Sequence, residues 1–323
     1  GFESLRSAVE HFTPEYVAAR AEIPADKLIE AARIFATSHR GMVTAGTGPN
    51  MAPRGTLAEY LVLAINTLCG RWMRAGEQVP NPFVLLPVRH GKAQAEPRPP
   101  AFGYGTRLRV RELGDNASGL SAAALADEIL LGGEGQVKAL FSIGGNPLVA
   151  WPDQLKTYDA LKHIELSVML DIKMSATAKM SHYVLPPKLG LECPAISMPN
   201  EGVWFYGMST GYPEPYAQYQ PALIPPPAGS DLLEEWEVFF GLAQRLGLDL
   251  VLNGQPLDMH ARYTTDELFD ILTAGSRIPL DEVRKHPHGK LYTDESIRVL
   301  PKDENCTERL DLANEHMLRE LDE

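Results

Sequence analysis

Val137-Lys138-Ala139-Leu140-Phe141-Ser142-Ile143 runs directly into Gly144-Gly145-Asn146-Pro147, and a helix-forming stretch near Asp153–Leu161 follows. A short apolar run closed by turn residues and continued by a helix reads as a strand–turn–helix unit. Glycine lets the backbone approach a ligand closely, and the free N–H groups at a helix start attract phosphate. Downstream, Leu166-Ser167-Val168-Met169-Leu170 reads as a second strand, 175–181 as a short helix and 182–185 as a third strand. That spacing is a βαβ series with parallel strands. Upstream the pattern recurs: Gly41-Met42-Val43-Thr44-Ala45 as a strand, Gly46-Thr47-Gly48-Pro49-Asn50 as a turn, then a helix through Leu57 to Leu68. The doubling implies two phosphate-bearing sites, or one long ligand held from both sides.

The 323 residues suffice for two domains. A hydrophobic content of 44% and a charged content of 22% fit a soluble globular protein. The net charge of −12 argues against nucleic acid or an anionic membrane surface as the main partner. Cys69, Cys193 and Cys306 are odd in number and widely spaced, so neither a disulfide framework nor a Cys-rich metal site follows from them. No stretch is long enough to span a bilayer and no signal peptide is recognisable, so direct membrane insertion is not expected and a cytoplasmic location is. The start at Gly1-Phe2-Glu3 looks like a cut through a longer polypeptide, which leaves an export signal lost with the N-terminus as the alternative.

Thr13-Pro14-Glu15 supplies an N-cap, an N1 proline and a first-turn acid for one helix; a second is expected over Asp26–Thr37. From Val79 to about Gly119, prolines and glycines (Pro80, Pro82, Pro87, Pro97, Pro99, Pro100, Gly103, Gly105) alternate with Arg89, Lys92, Arg98, Arg107, Arg109 and Arg111. Such a loop is either a surface excursion or a basic lid over anionic groups. A helix is expected over Ala122–Leu131, and Pro221–Pro227 reads as a stiff linker. Ser230-Asp231-Leu232-Leu233-Glu234 is expected to open a helix ended by Gly247, and Thr264 or Thr265 to cap one over Asp266–Leu272.

Gly46-x-Gly48 lacks the third glycine of the dinucleotide fingerprint, and no acid follows about twenty residues on, which leaves an ordinary nicotinamide dehydrogenase little support. The second unit is more informative, because the strand 166–170 ends in Asp171. In open parallel sheets ligands lie across the carboxyl ends of the strands. A carboxylate there suits the N1–H and exocyclic NH₂ of guanine, which it accepts side by side. The alternatives for Asp171 are a ribose contact and an N-cap of the next short helix. Lys173, Ser175 and Thr177 follow in a polar loop within reach of phosphate or ribose oxygens, or serve only solvation and capping. Glu192 and Asn200-Glu201 match no metal motif or acid–base pair, and His286-Pro287-His288 reads as a surface turn. No nucleophile elbow, P-loop or zinc-protease motif is present.

Several stretches in order resemble one known family. They are Phe12-Thr13-Pro14-Glu15, Gly46-Thr47-Gly48, Leu68-Cys69-Gly70-Arg71 with Gly76, Ala139 through Pro147, and Asp171-Ile172-Lys173-Met174-Ser175-Ala176-Thr177-Ala178 through Tyr183-Val184-Leu185-Pro186. Together they look like the middle of a molybdopterin oxidoreductase of the dimethyl sulfoxide reductase superfamily. The resemblance implies an α/β fold of two related domains with mostly parallel, Rossmann-like sheets flanked by helices. It assigns residues 1–135 to a first dinucleotide-binding domain, 136–250 to a second, and 251–323 to a peripheral segment leading to a further C-terminal domain. It implies a bis-molybdopterin guanine dinucleotide cofactor with Mo or W. Gly46, Thr47, Gly48 and Asn50 would face one dinucleotide, and Gly144, Gly145, Asn146 and Pro147 the other. Asp171 would recognise guanine, with Lys173, Ser175 and Thr177 close by.

The resemblance further implies a small-molecule substrate and a possible electron-transfer subunit. The metal ligand and a 4Fe-4S cluster would lie upstream of residue 1, so the 323 residues alone would be inactive. A non-catalytic relative in a larger redox complex is the alternative. The chain departs from the family pattern at Ser181-His182, where many members carry Ala-Asp, and at Glu192-Cys193-Pro194-Ala195 in place of an acid–Gly–Thr stretch.

Overall fold

A computed structural model describes residues 1–96, 107–114, 119–203, 214–293 and 295–322. The prolines, glycines and Arg98 of the 97–106 stretch lie outside the described residues. The chain opens with α1 (Phe2–Val9), α2 (Pro14–Ala21), α3 (Ala25–Thr37), α4 (Thr47–Met51) and α5 (Gly55–Leu68). Thr13 caps α2 as its sequence requires: its hydroxyl accepts from the Tyr16 N–H at 3.2 Å, and Pro14 occupies the first helical position, where no N–H is needed. Gly41–Ala45 corrects an expectation. It pairs with no strand among the described residues; instead the buried Asn66 side chain of α5 bonds both backbone groups of Val43. Val43 and Ala45 are half-buried, whereas Met42 is exposed.

After β1 (Gln78–Pro80) and α6 (Leu125–Leu130) comes the sheet. Strand β2 (Ala139–Ile143) leads through α7 (Pro147–Ala150) and α8 (Gln154–His163) to β3 (Leu166–Leu170), then to β4 (Tyr183–Leu185). All pairings are parallel, in the order β2-β3-β4, with Ile143 opposite Leu170 and Leu170 opposite Leu185. The central strand is the most buried, Ser167 through Leu170, as a strand covered on both faces must be. α6 and α8 pack on one another through Ala126, Ile129, Ala160 and Ile164. Asp153, at φ +57°, caps α8 by accepting from the Lys156 N–H.

Two cations of the expected lid act within the fold. Arg109 pairs with buried Glu128 at 3.1 Å and donates to the carbonyls of Glu128 and Leu131 at the end of α6. Lys92 pairs with Asp303 at 2.8 Å. An arginine over unsatisfied terminal carbonyls neutralises the negative end of the helix.

The remaining elements are β5 (Ala195–Ile196), α9 (Met198–Val203), β6 (Tyr216–Ala217), β7 (Tyr219–Gln220), α10 (Glu235–Leu246), β8 (Val251–Leu252), β9 (Gln255–Pro256), α11 (Thr265–Leu272), α12 (Leu280–Arg284), β10 (Lys290–Leu291), β11 (Ser296–Arg298) and α13 (Glu315–Asp322). Helix α10 starts later than expected, with its capping box formed by Glu234 and Glu237; Leu233 instead bridges to Pro187 beyond β4. Gly247 closes it at φ +67°, and Thr264 caps α11 through a capping box with Glu267. The C-terminal segment returns to the first half: β11 pairs antiparallel with β1, and Leu321 of α13 packs with Leu5 of α1 and Leu57 and Ala64 of α5.

Glu201 of α9 ties another long-range junction. Its buried carboxylate accepts from the N–H groups of Val84, Leu85 and Leu86 at 2.9, 2.8 and 3.1 Å. Burial pushes its pKa up, and the three N–H groups and Arg277 pull against that. Val84 and Leu85 belong to a core with Ala217, Leu280, Val283 and Tyr292. Glu201→Ala orphans three donors, two of them on fully buried residues, at about 1–3 kcal/mol each. The variant is expected to lose about 3 kcal/mol or more in urea unfolding; a loss below about 1 kcal/mol contradicts this role.

Candidate functional site

The carboxyl ends of β2 and β3 form one edge of the sheet, and two predicted groups meet there. The Gly144 N–H donates to the Leu170 carbonyl at 2.9 Å, extending the ladder by one residue before the chain turns away. Gly144 sits at φ +59°, a left-handed conformation that glycine adopts without a Cβ penalty. A Cβ built there meets nothing within 4 Å, so the turn faces open space. The N–H groups of Gly145 and Asn146 have no acceptor among the described residues. Pro147 then starts α7, with Asn146 as its N-cap.

Asn146 and Thr177 are bonded to one another rather than turned to solvent. The Thr177 hydroxyl, on a residue 2% exposed, donates to Asn146 Oδ1 at 2.8 Å and accepts from the Leu148 N–H at 3.0 Å. The Thr177 N–H reaches the same Oδ1 at 3.3 Å. This pair locks the turn after β2 to the loop after β3. A buried threonine spends its hydroxyl inside the protein, so Thr177 holds the turn in place.

Asp171 follows β3 directly and is half-buried. One carboxylate oxygen accepts from the Lys173 N–H at 3.1 Å; the other has no partner among the described residues. The acid therefore bends its own loop and does not cap the 178–180 turn. Lys173 is exposed, and Ser175 Oγ accepts from the Ala178 N–H at 3.3 Å. Around this edge stand four exposed apolar side chains, Ile143, Val149, Ile172 and Met174. Sequence reading missed them, because only the fold brings residues from β2, α7 and the loop after β3 to one rim. Their exposure beside a polar turn suits a flat ring that buries them on binding.

The first turn is built differently. Gly46 is the N-cap of the single-turn α4, and a Cβ at Gly46 or Gly48 meets nothing within 4 Å. Thr47 and Gly48 lie in its first turn, whose N–H groups have no intrahelical acceptor. Asn50 lies on the same helix. No hydrogen bond joins the two turns among the described residues. Two clefts of about 540 and 650 Å³ flank Trp72 and Met73, and neither is lined by a residue of either turn. Among the described residues no group of three or more His, Cys, Asp or Glu is arranged to hold a metal ion.

The departures from the family pattern have local explanations. His182 Nδ1 accepts from the Ser167 N–H at 2.9 Å, and the His182 N–H donates to the Ser167 carbonyl, fastening β4 to the amino end of β3, opposite the turns. Glu192, buried, accepts from the Leu189 N–H at 2.7 Å and closes a loop.

A sequence profile described as molybdopterin oxidoreductase matches residues 31–203, more than half of the chain and both turns together with Asp171. The chain belongs to the molybdopterin oxidoreductase family. Its relatives include the F420-dependent formate dehydrogenase subunit alpha of Methanocaldococcus jannaschii, 27% identical over 76% of this chain and 35% of that protein. Formate dehydrogenase H of Escherichia coli is 24% identical over 78% of this chain and 34% of its own length. The thiosulfate reductase molybdopterin-containing subunit of Salmonella typhimurium is 22% identical over 77% and 33%. The chain thus spans about a third of the length of these relatives. Acetylene hydratase from Pelobacter acetylenicus superposes with a TM-score of 0.62 at 19% identity, over 94% of this chain and 41% of that one, which establishes likeness of fold. These matches fit the dimethyl sulfoxide reductase superfamily, and the family is one of molybdopterin-dependent oxidoreductases.

Thr177→Val keeps the volume and removes the hydroxyl, orphaning the Leu148 N–H and one lone pair of Asn146. The expected result is a loss of about 2 kcal/mol in urea unfolding, with faster amide exchange at Leu148. Unchanged stability and exchange would remove Thr177 from the role of turn anchor.

Proposed function

We propose that this chain is the nucleotide-holding core of a molybdenum or tungsten oxidoreductase that carries a bis-molybdopterin guanine dinucleotide. Residues 1–135 and 136–250 hold one dinucleotide each, and 251–323 braces the first of them while leading toward a further domain. The observation that carries this is Asp171 with an unbonded carboxylate oxygen on the same sheet edge as the unbonded amides of Gly145 and Asn146. The donor set fits: amides for a diphosphate, a carboxylate for guanine, and apolar side chains for the flat ring. Lys173 adds a positive charge beside the diphosphate, and Ser175 orders the loop that carries it. Gly46, Thr47, Gly48 and Asn50 present the corresponding turn to the second dinucleotide.

When bound, the metal cofactor supplies the oxygen-atom, hydride or electron transfer, and the protein's part is to place and tune it. The relatives are named for formate and thiosulfate, so the substrate here is a small molecule. The metal ligand and a 4Fe-4S cluster belong to the whole protein on this reading, and the designation of one relative as a subunit alpha supports a further, electron-transfer subunit. The three cysteines are all unpaired, which suits a cytoplasmic protein. No described helix is long and apolar enough to cross a membrane.

Calorimetric titration with GDP, against ADP as control, tests the assignment. The chain is expected to prefer GDP, and Asp171→Asn to weaken GDP binding by about tenfold or more while leaving ADP unchanged, since only guanine offers the carboxylate a paired donor. Equal affinity for the two nucleotides in the unaltered chain refutes guanine recognition. Residues 1–323 alone are expected to show no turnover of formate or thiosulfate with artificial electron carriers; sustained turnover contradicts the division of labour.

A further inference from the structure

We infer that Ser142 is a further contact of the nucleotide diphosphate, its hydroxyl donating from beneath the turn that offers the Gly145 and Asn146 amides. The inference rests on the cofactor assignment above. Ser142 lies one residue before the end of β2, opposite Met169 in the ladder. Side chains alternate along a strand, so it shares a face with Leu140, which packs against the α6–α8 core. The residue is 9% exposed, and its hydroxyl has no hydrogen-bond partner among the described residues.

Three other buried hydroxyls of this unit are all bonded. Thr157 donates to the Asp153 carbonyl at 3.0 Å, Ser167 meets His182 Nδ1 at 3.1 Å, and Thr177 donates to Asn146 Oδ1 at 2.8 Å. A hydroxyl enclosed beside apolar side chains without a bond is disfavoured, so the exception asks for a partner. Unlike the orphan hydroxyls of Tyr60 and Tyr292, the Ser142 oxygen is not sealed off. The groups that cover the rest of the residue all belong to this chain. Gly145 shows where the oxygen points. A Cβ built on Gly145 would stand 3.4 Å from Ser142 Oγ, with the Ile143 carbonyl and the Pro147 ring at 3.9 and 4.0 Å.

Gly145 is also a glycine that the backbone does not require. Unlike Gly144, it does not take a positive φ, and its Cβ would meet nothing closer than that hydroxyl. Alanine therefore fits the ligand-free turn. What glycine leaves free is the space over the Ser142 hydroxyl, beside two amides that have no acceptor among the described residues. Close approach of a ligand to the backbone is what glycine permits, and a phosphate oxygen there takes the hydroxyl as a charge-assisted donor.

Calorimetric titration of the 323-residue chain with GDP and ADP, paired with urea unfolding, tests this. Ser142→Ala is expected to weaken GDP about tenfold at the site that Asp171→Asn also weakens, and ADP by the same factor. The ratio holds because a hydroxyl on the phosphate does not read the base. The unfolding midpoint of Ser142→Ala is expected to be unchanged or raised, since the lost hydroxyl has no partner in the ligand-free chain. Gly145→Ala, which puts a methyl over the hydroxyl, is expected to keep its midpoint and lose GDP affinity about tenfold or more. Unchanged GDP affinity in either variant overturns the inference and leaves the cofactor assignment standing. So does a lowered midpoint in Ser142→Ala, which marks a structural bond, or a loss confined to GDP. No GDP binding by the unaltered chain overturns both.

Discussion

Parallel pairing of β2 with β3 is the constraint on which the candidate site depends. Strands that run the same way end on the same edge, so the Gly144 turn and the Asp171 loop emerge side by side. The bond from the Gly144 N–H to the Leu170 carbonyl carries that alignment one residue past the last strand pair. Antiparallel pairing would separate the amides from the carboxylate by the length of a strand, and each residue of register shift by about 3.3 Å. The site is a consequence of sheet direction before it is a set of side chains.

Around that edge, polar groups divide into those spent within the fold and those left over. Asn146 and Thr177 have protein partners there, and their bonds hold the turn after β2 to the loop after β3. The amides of Gly145 and Asn146 and one oxygen of Asp171 do not. These half-buried groups are the ones the proposed nucleotide contacts would use. The same sorting takes Arg109 and Lys92 out of the cofactor lid, since each is paired with a carboxylate of its own chain.

The two halves are built differently. A sheet orients the second turn. In the first half, Asn66 of α5 bonds the backbone of Val43, and Arg71, just beyond α5, donates to the His39 carbonyl after α3. The C-terminal segment then covers the first half, with β11 on β1 and α13 on α1 and α5. The peripheral appearance of its sequence reflects short, polar elements rather than independence.

Local chemistry made much of this legible without a structure. Thr13-Pro14, Thr264 with Glu267, and Gly247 each obey rules that act within one helical turn, and each stands where those rules put it. The strand Leu166–Leu170 and the turn at Gly144 were readable for the same reason, since an apolar run and a glycine that must take positive φ are properties of adjacent residues. Gly41–Ala45 looked like a strand because composition reports local β preference, not what takes the backbone hydrogen bonds. That Asn66 does so, that Glu201 gathers three amides from more than a hundred residues away, and that Ile143, Val149, Ile172 and Met174 share one rim were decided by tertiary structure alone. A sequence specifies each residue's donors, acceptors and apolar surface; only the folded chain determines which of them meet.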